Sequence, residues 1–513
     1  MSSDIHPYLT DPDIVVLQNL FNDVNKANSP AQAKDLETAG EAEKLTKTAN
    51  DDIDLLKTDK GALERLRALN DPTHPQFTPT VLVTWDDKDI HPIINRYLVR
   101  PYIAVASKVV RHPVDVVFLT HILLYTFVNL PSAIYLFYNF TYLHGILHAA
   151  FTFWCAGGFT LMMHNHIHNG GVLSKPWAIF DFCFPYVLEP LMGHTWDSYY
   201  YHHVKHHHVE GNGPNDLSST LRYQRDDIWH FLHYVGKFLL TTWIALPLYF
   251  ARKRNYKLAF QSGASEYASH AFMYYMTAHV NARASIFVLL IPFVLLRLGL
   301  MVGNWGQHAL VDELEPDSDF RSSITLIDVP VSALKAKEKG KKKKRKKKKK
   351  TNPTPRNRLP QLLTNHSHNQ SNRFCFNDGY HTAHHLNPRR HWREQPVHFL
   401  ESKAAYRDGR ALVFHNIDYL MMTLKLVQKD YAHLARCLVP LGEQVDMSME
   451  ERAEMLRSKT RRFTEEEIEA KFRKPVLAEE RRKAVGKAVG KAVGEKEQEG
   501  NGGVRRRSPG AGS

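Results

Sequence analysis

Apolar and polar positions along this chain are segregated into long blocks. Two apolar runs of near-spanning length come first, Val116–Tyr138 and Leu143–Met163, with only NFTY at their junction. A bilayer core of about 30 Å takes about 20 apolar residues in helical form, so each run can cross, and the short junction makes them a helical hairpin. Phe231–Phe250 is expected to be a third crossing, weakened by His233 and Lys237. Ala284–Val302 is the fourth, interrupted by Arg297, whose side chain is expected to snorkel toward the nearer face. Between the pairs, Trp177–Met192 is aromatic but carries Asp181, Glu189 and two prolines, and reads as interfacial. The pattern predicts an all-α integral membrane fold: about four transmembrane helices in two hairpins, with a helical cytosolic cap. An N-terminal helical region is expected over 1–113, a membrane domain over 114–400, and a C-terminal helical region with a low-complexity tail over 401–513.

Two hairpins would place 1–115, 164–230 and 304–513 on one side of the membrane. Arg100, Lys108, Arg111 and the basic residues near 390 assign that side to the cytosol. One cluster disagrees. Arg252, Lys253, Arg254 and Lys257 would fall on the opposite side, which leaves open whether the last two runs are shallow re-entrant segments.

Averages over the 513 residues hide this organisation: 23% are charged, mean hydropathy is −0.38 and net charge is +14. Between Val331 and Arg358 stand twelve Lys and three Arg against the single Glu338. The rest of the chain is formally neutral, so no nucleic-acid partner is implied. This basic stretch reads as a disordered low-complexity insert over 331–371. Four cysteines stand far apart with no CxxC, which argues against a disulfide framework or a cysteine zinc site. The N-terminus lacks a basic n-region and a long apolar run, so a cytosolic start is expected.

The 30 histidines change the picture because they cluster. HNHIH supplies His164 and His168; HHVKHHH supplies His203, His206, His207 and His208; NWGQH supplies Asn304 and His308; YHTAHHLNP supplies His381, His384 and His385. Each cluster ends or follows an apolar run at the same expected face. On an α-helix, positions i, i+3 and i+4 share a face, so the second cluster is expected to present His203, His206 and His207. The alternative set is His203, His207 and His208. Neutral imidazole suits iron, copper or zinc, and so many donors exceed one tetrahedral zinc. A pair of redox irons with room for oxygen is the economical inference. His166 is expected to point away, and His366 and His368 match no spacing. Asp378, Asp312, Glu210 and Asp216 are candidate partners for the outer ring nitrogens.

These four motifs, in this order, resemble the histidine boxes of the integral-membrane fatty acid desaturase family, over roughly residues 114–400 without the insert. The resemblance implies two iron ions held by His164, His168, His203, His206, His207, His308, His381, His384 and His385, with Asn304 acting directly or through a water. It implies a cytosol-facing centre in an endoplasmic-reticulum-type membrane, and insertion of a double bond into a lipid-borne acyl chain with O2 and two electrons. A fused heme domain with HPGG is absent, so the electrons would come from an external carrier such as cytochrome b5 and its reductase. Arg389, Arg390 and Arg393 could dock such an acidic carrier, and Phe151, Phe153, Trp154 and Trp305 are positional candidates for an acyl tunnel. A hydroxylase or other monooxygenase on the same scaffold is the alternative. A catalytically inactive lipid-binding membrane protein is the alternative of another class.

Overall fold

The computed structural model describes residues 9–28, 58–82, 85–86, 90–327 and 372–472, so the insert at 331–371 and the distal tail lie outside the described residues. Helices α1 (Asp11–Asn28) and α2 (Asp59–Asn70) come first. Thr58 caps α2 by accepting from the Gly61 N–H, one of the donors that helix geometry leaves without a partner. Val16 and Leu20 of α1, with Ala62 and Leu66 of α2, are buried together with Val397, Phe399 and Leu400, over 300 residues further along.

Among the described residues, four helices are long and apolar enough to cross a membrane: α3 (Val116–Tyr138), α4 (Tyr142–Asn169), α5 (Ile228–Arg252) and, beyond helix α6 (Tyr256–Tyr275), α7 (Ala282–His308). A π-helical turn over Met276–Val280 prolongs α6 almost to the start of α7. Composition makes α5 a candidate span, and both of its ends make specific contacts. Near its start, Phe231 packs edge-on against Trp305 with ring centroids 5.4 Å apart, and the Tyr234 hydroxyl accepts from Asn304 at 2.6 Å. Near its end, Tyr249 lies 4.2 Å from the His206 ring and donates to Glu210 at 2.5 Å. Both ends of this helix, about 37 Å long, therefore touch the layer that carries the histidines.

The chain leaves that layer along α6. Leu258 packs with Tyr201 and Phe250, whereas Asn281, just beyond the far end, donates to the Phe137 carbonyl at the tip of the α3–α4 hairpin. Helix α6 thus runs between the histidine-bearing layer and the tip of the α3–α4 hairpin, and α7 returns to that layer. Lys257 and Glu266 lowered the hydropathy of α6 and hid it in the sequence. This course also brings the Arg252–Lys257 cluster to the histidine-bearing end, with Lys253 paired to Glu210 at 3.1 Å. Its conflict with the other basic residues disappears.

Arg297 does not snorkel. It is buried inside the bundle, its Nη2 donating to both Glu266 oxygens (3.1 and 3.2 Å) and to Thr195 Oγ1 (2.9 Å). A buried charge in a membrane helix persists only where a partner compensates it.

Three short strands, Ile324–Ile327, Leu412–His415 and Leu438–Val439, form a small sheet, parallel in its first pair and antiparallel in its second. Its inner residues Ile324, Leu326 and Phe414 share a core with Met301 and Trp305 of α7. Runs this short carry little alternation, and the sheet was not expected from the sequence. By compactness, Met1–Arg462 forms one unit and Phe463–Ser513 another, the latter containing helix Glu465–Phe472.

Candidate metal centre

Four separate pieces of chain deliver the histidine clusters to one place. His164 and His168 lie in the last turns of α4, which stops at Gly170 in the left-handed region (φ 66°). His308 is the last residue of α7, and α8 (His381–Leu386) carries His381, His384 and His385. The remaining cluster folds as a π-helix over Tyr200–His207.

That local geometry decides which imidazoles converge. A π-helix takes about 4.4 residues per turn against 3.6 in an α-helix, so i, i+4 and i+5 share a face where i, i+3 and i+4 otherwise would. His203, His207 and His208 accordingly point into the histidine layer, and His206 does not. His206 Nε2 instead accepts from the Leu217 N–H at 2.8 Å and lies 3.5 Å from Asp216. Of the expected set His203, His206, His207, the geometry brings His203 and His207 into the layer together with His208, while His206 lies in a separate group with His202 and Asp216.

The first group comprises His164, His168, His203, His208 and His384, whose donor nitrogens all lie within 4.8 Å of one another. Four of their Nε2 atoms form a closed ring: His164–His203 2.8 Å, His203–His208 3.0 Å, His208–His384 2.9 Å and His384–His164 3.0 Å. An imidazole nitrogen that carries a proton cannot also accept one, and each donates only one, so at most two of these four close contacts can be hydrogen bonds at once. A square of this edge has about 2.1 Å from centre to corner, the length of a metal–imidazole bond. The buried Nε2 of His168 has no hydrogen-bond partner. The donor set therefore fits a shared cation.

A second group brings together His207, His308 and His385. His381 joins it, its Nε2 lying 3.0 Å from that of His308 and 3.1 Å from that of His385. Outer contacts orient two of these rings. His207 Nδ1 donates to Asp216 Oδ2 at 2.7 Å and His308 Nδ1 to the Ser322 carbonyl at 2.8 Å, which leaves each Nε2 free as a donor to metal. Burial drives the imidazoles of His203, His208, His381, His384 and His385 well below their ordinary range, and the crowding of neighbouring imidazoles adds to it. They are held neutral, the form that binds metal. Burial alone would raise the Asp216 carboxyl, but His207 and His206 overcome it and hold the group well below the carboxylate range.

Asn304 lies one turn before His308, and its amide N–H groups donate to the Ser218 carbonyl and the Tyr234 hydroxyl, which fixes the orientation of the amide whose oxygen would face a metal or its water. Among the four candidate carboxylates, Asp216 alone bonds a histidine. Asp378 accepts from Gln307, Asp312 pairs with Lys459 and Arg321, and Glu210 serves Tyr249 and Lys253. Asp319, 3.8 Å from His385 Nδ1, and the Ser322 carbonyl had no sequence signal to mark them. His166 faces Asp181 at 3.5 Å, away from both groups. Trp305 is fully buried in packing, and none of the four aromatic tunnel candidates lines the cavity beside the histidines. Arg393 is engaged by Thr78, Thr80 and Leu69, and Arg390 by the Ala383 carbonyl.

The N-terminal helix takes part in this construction. Asp13 of α1 is buried and accepts from the Tyr380 hydroxyl (2.9 Å), Asn372 (3.0 Å) and Thr10 (2.7 Å), which ties α1 to the residue before His381. On the other side, Gly379 is pressed so closely to strand Ile324–Ile327 that a Cβ there would lie 2.3 Å from the Leu326 carbonyl oxygen.

An all-α architecture with four helices able to cross a membrane and two polyhistidine groups at one end defines a class: integral membrane proteins with histidine clusters compatible with metal binding. Within it, the description of the fatty acid desaturase family matches residues 139–416, over half of the chain, and the protein belongs to that family. No curated protein and no solved structure matches the chain significantly.

Proposed function

We propose that this protein is a membrane-bound, O2-dependent desaturase that places a double bond in the fatty acyl chain of a lipid. It would use two iron ions, held by the five-histidine group and by His207, His308, His381 and His385. The observation that carries this reading is the pairing of two imidazole groups side by side, with one cavity wall shared between them. That cavity, of about 90 Å³, is lined by His203, His207 and His381 together with Phe238, Leu300 and Met301.

Iron in this setting supplies, with O2 and two electrons, the oxidising power to remove hydrogen from an unactivated methylene. The chain's own contribution is placement. Neutral imidazoles fix the metal positions, Asp216 and the Ser322 carbonyl orient two of them, and the apolar stretch of wall excludes water from the carbon to be oxidised. Electrons would come from an external carrier such as cytochrome b5, itself reduced by its reductase. A hollow lined by His168, His208, Lys205 and Arg389 gives such a carrier a basic approach to the first group. An endoplasmic-reticulum-type membrane with the histidine layer toward the cytosol suits the basic residues at that end, where Arg111 donates to the Gly170 carbonyl.

Expression in yeast followed by fatty acid profiling tests the reading. A new double bond, lost in His384→Ala, is expected. A new hydroxyl would move the assignment to a hydroxylase, and unchanged lipids with an iron-free protein would move it to lipid binding.

A further inference from the structure

The cavity beneath the histidines is not a plain hydrocarbon slot. Away from the metal groups its wall includes Arg297, Glu266, His194 and His202. Arg297 and Glu266 are 6% and 2% exposed, and every hydrogen bond that the described structure gives Arg297 leaves from Nη2. A guanidinium carries five N–H donors in a fixed fork, so donors remain for a guest. His194 is 7% exposed, and its buried Nε2 has no hydrogen-bond partner; the same holds for the Nε2 of His202. A methylene chain threaded past these groups would leave each of them unsatisfied at a cost of about 1–3 kcal/mol.

We propose that this polar wall recognises an oxygen function of the lipid substrate. The preferred substrate is thus an acyl lipid that places a neutral oxygen against Arg297 and His194 while another part of its chain lies under the metals. This rests on the desaturase reading and narrows its substrate class. The oxygen is neutral because Glu266 already compensates Arg297, and a free carboxylate would bring a second, uncompensated negative charge into a buried space. Two oxygen functions share this chemistry: the carbonyl that joins chain to headgroup, and a hydroxyl on the chain. A site built to bond an oxygen discriminates sharply against the analogue that lacks it.

Two matched pairs of probes separate these sources, read as competitive binding to the purified full-length protein in bilayer nanodiscs. Ester-linked octadecanoyl phosphatidylcholine against its ether-linked counterpart tests the carbonyl. A 12-hydroxyoctadecanoyl phospholipid against the octadecanoyl form tests the hydroxyl. The wild type is expected to favour the oxygenated member of at least one pair by about tenfold or more, the value of one charge-assisted hydrogen bond. In the double variant Arg297→Met, Glu266→Gln, which removes both charges together, the preference is expected to fall below about twofold while iron per chain stays at the wild-type level. Equal binding within both pairs, or a preference that survives in the double variant, overturns the proposal. Should the double variant not fold, the wild-type comparison decides alone. Discrimination by binding without any lipid oxidation in yeast would instead sink the desaturase reading and leave the polar wall standing.

Discussion

The choice between His206 and His208 turns on one hydrogen bond. His206 already accepts from the Leu217 N–H, while His208 completes the Nε2 ring of the first group. His208→Ala is expected to lower iron per chain, measured by mass spectrometry on purified protein, by about tenfold in affinity or more, and His206→Ala to leave it close to the wild type. Equal losses from both would mean that the ring does not describe the bound state. Asp378 supplies a second prediction at this scale. Burial raises its carboxyl from 3.8 to about 7, so the folded protein keeps a proton that the unfolded chain releases near pH 4. Stability should therefore fall as pH climbs from about 4 to about 7, and level off above that. In Asp378→Asn, whose side chain can still accept from Gln307, the decline in melting temperature between pH 5 and pH 7 is expected to flatten.

Elements show where sequence reasoning succeeds and where it stops. The clusters were legible because imidazole is rare enough that four groups of it, each beside an apolar run, stand out from any solvated background. Which three of the second cluster would converge was not legible, since an α-helical periodicity was assumed where the backbone widens to a π-helix. Hydropathy marked α5 as long and apolar enough to cross, and the helix leaves Trp229, Leu232, Leu240, Ile244 and Leu248 exposed; the contacts at its two ends left no mark in the sequence. Helix α6 looked too polar because its charge at Glu266 is spent on Arg297, a partner invisible in one dimension. Close packing supplies the prediction at this level. A Cβ at Gly306 would meet the Tyr419 carbonyl oxygen at 2.8 Å, and His308 lies two residues on. Gly306→Ala is expected to cost about 1–3 kcal/mol, seen as a lower melting temperature, with iron content reduced as His308 is displaced. An unchanged melting curve would show that helix Tyr419–Val427 yields more easily than its backbone contact suggests.

At the scale of the whole molecule, the contacts at both ends of α5 differ from a simple reading of apolar runs, and sidedness measures the difference. Lys253→Cys is expected to be labelled by a membrane-impermeant thiol reagent from the same side as Arg389→Cys, and Asn139→Cys, at the tip of the first hairpin, from the opposite side. Labelling of Lys253→Cys together with Asn139→Cys would identify α5 as a crossing helix. Helix α1 meets the same layer: Asp13 accepts from the hydroxyl of Tyr380, the residue before the helix that carries the last three histidines.

Helix α8 contributes to both imidazole groups, His384 to one and His381 with His385 to the other. A ribosome that has inserted the apolar helices has therefore made a membrane-embedded chain with neither group finished. If these groups hold metal as proposed, loading would wait until translation has passed residue 385, and a message cut short before that codon would yield a bilayer-anchored polypeptide with both histidine groups incomplete.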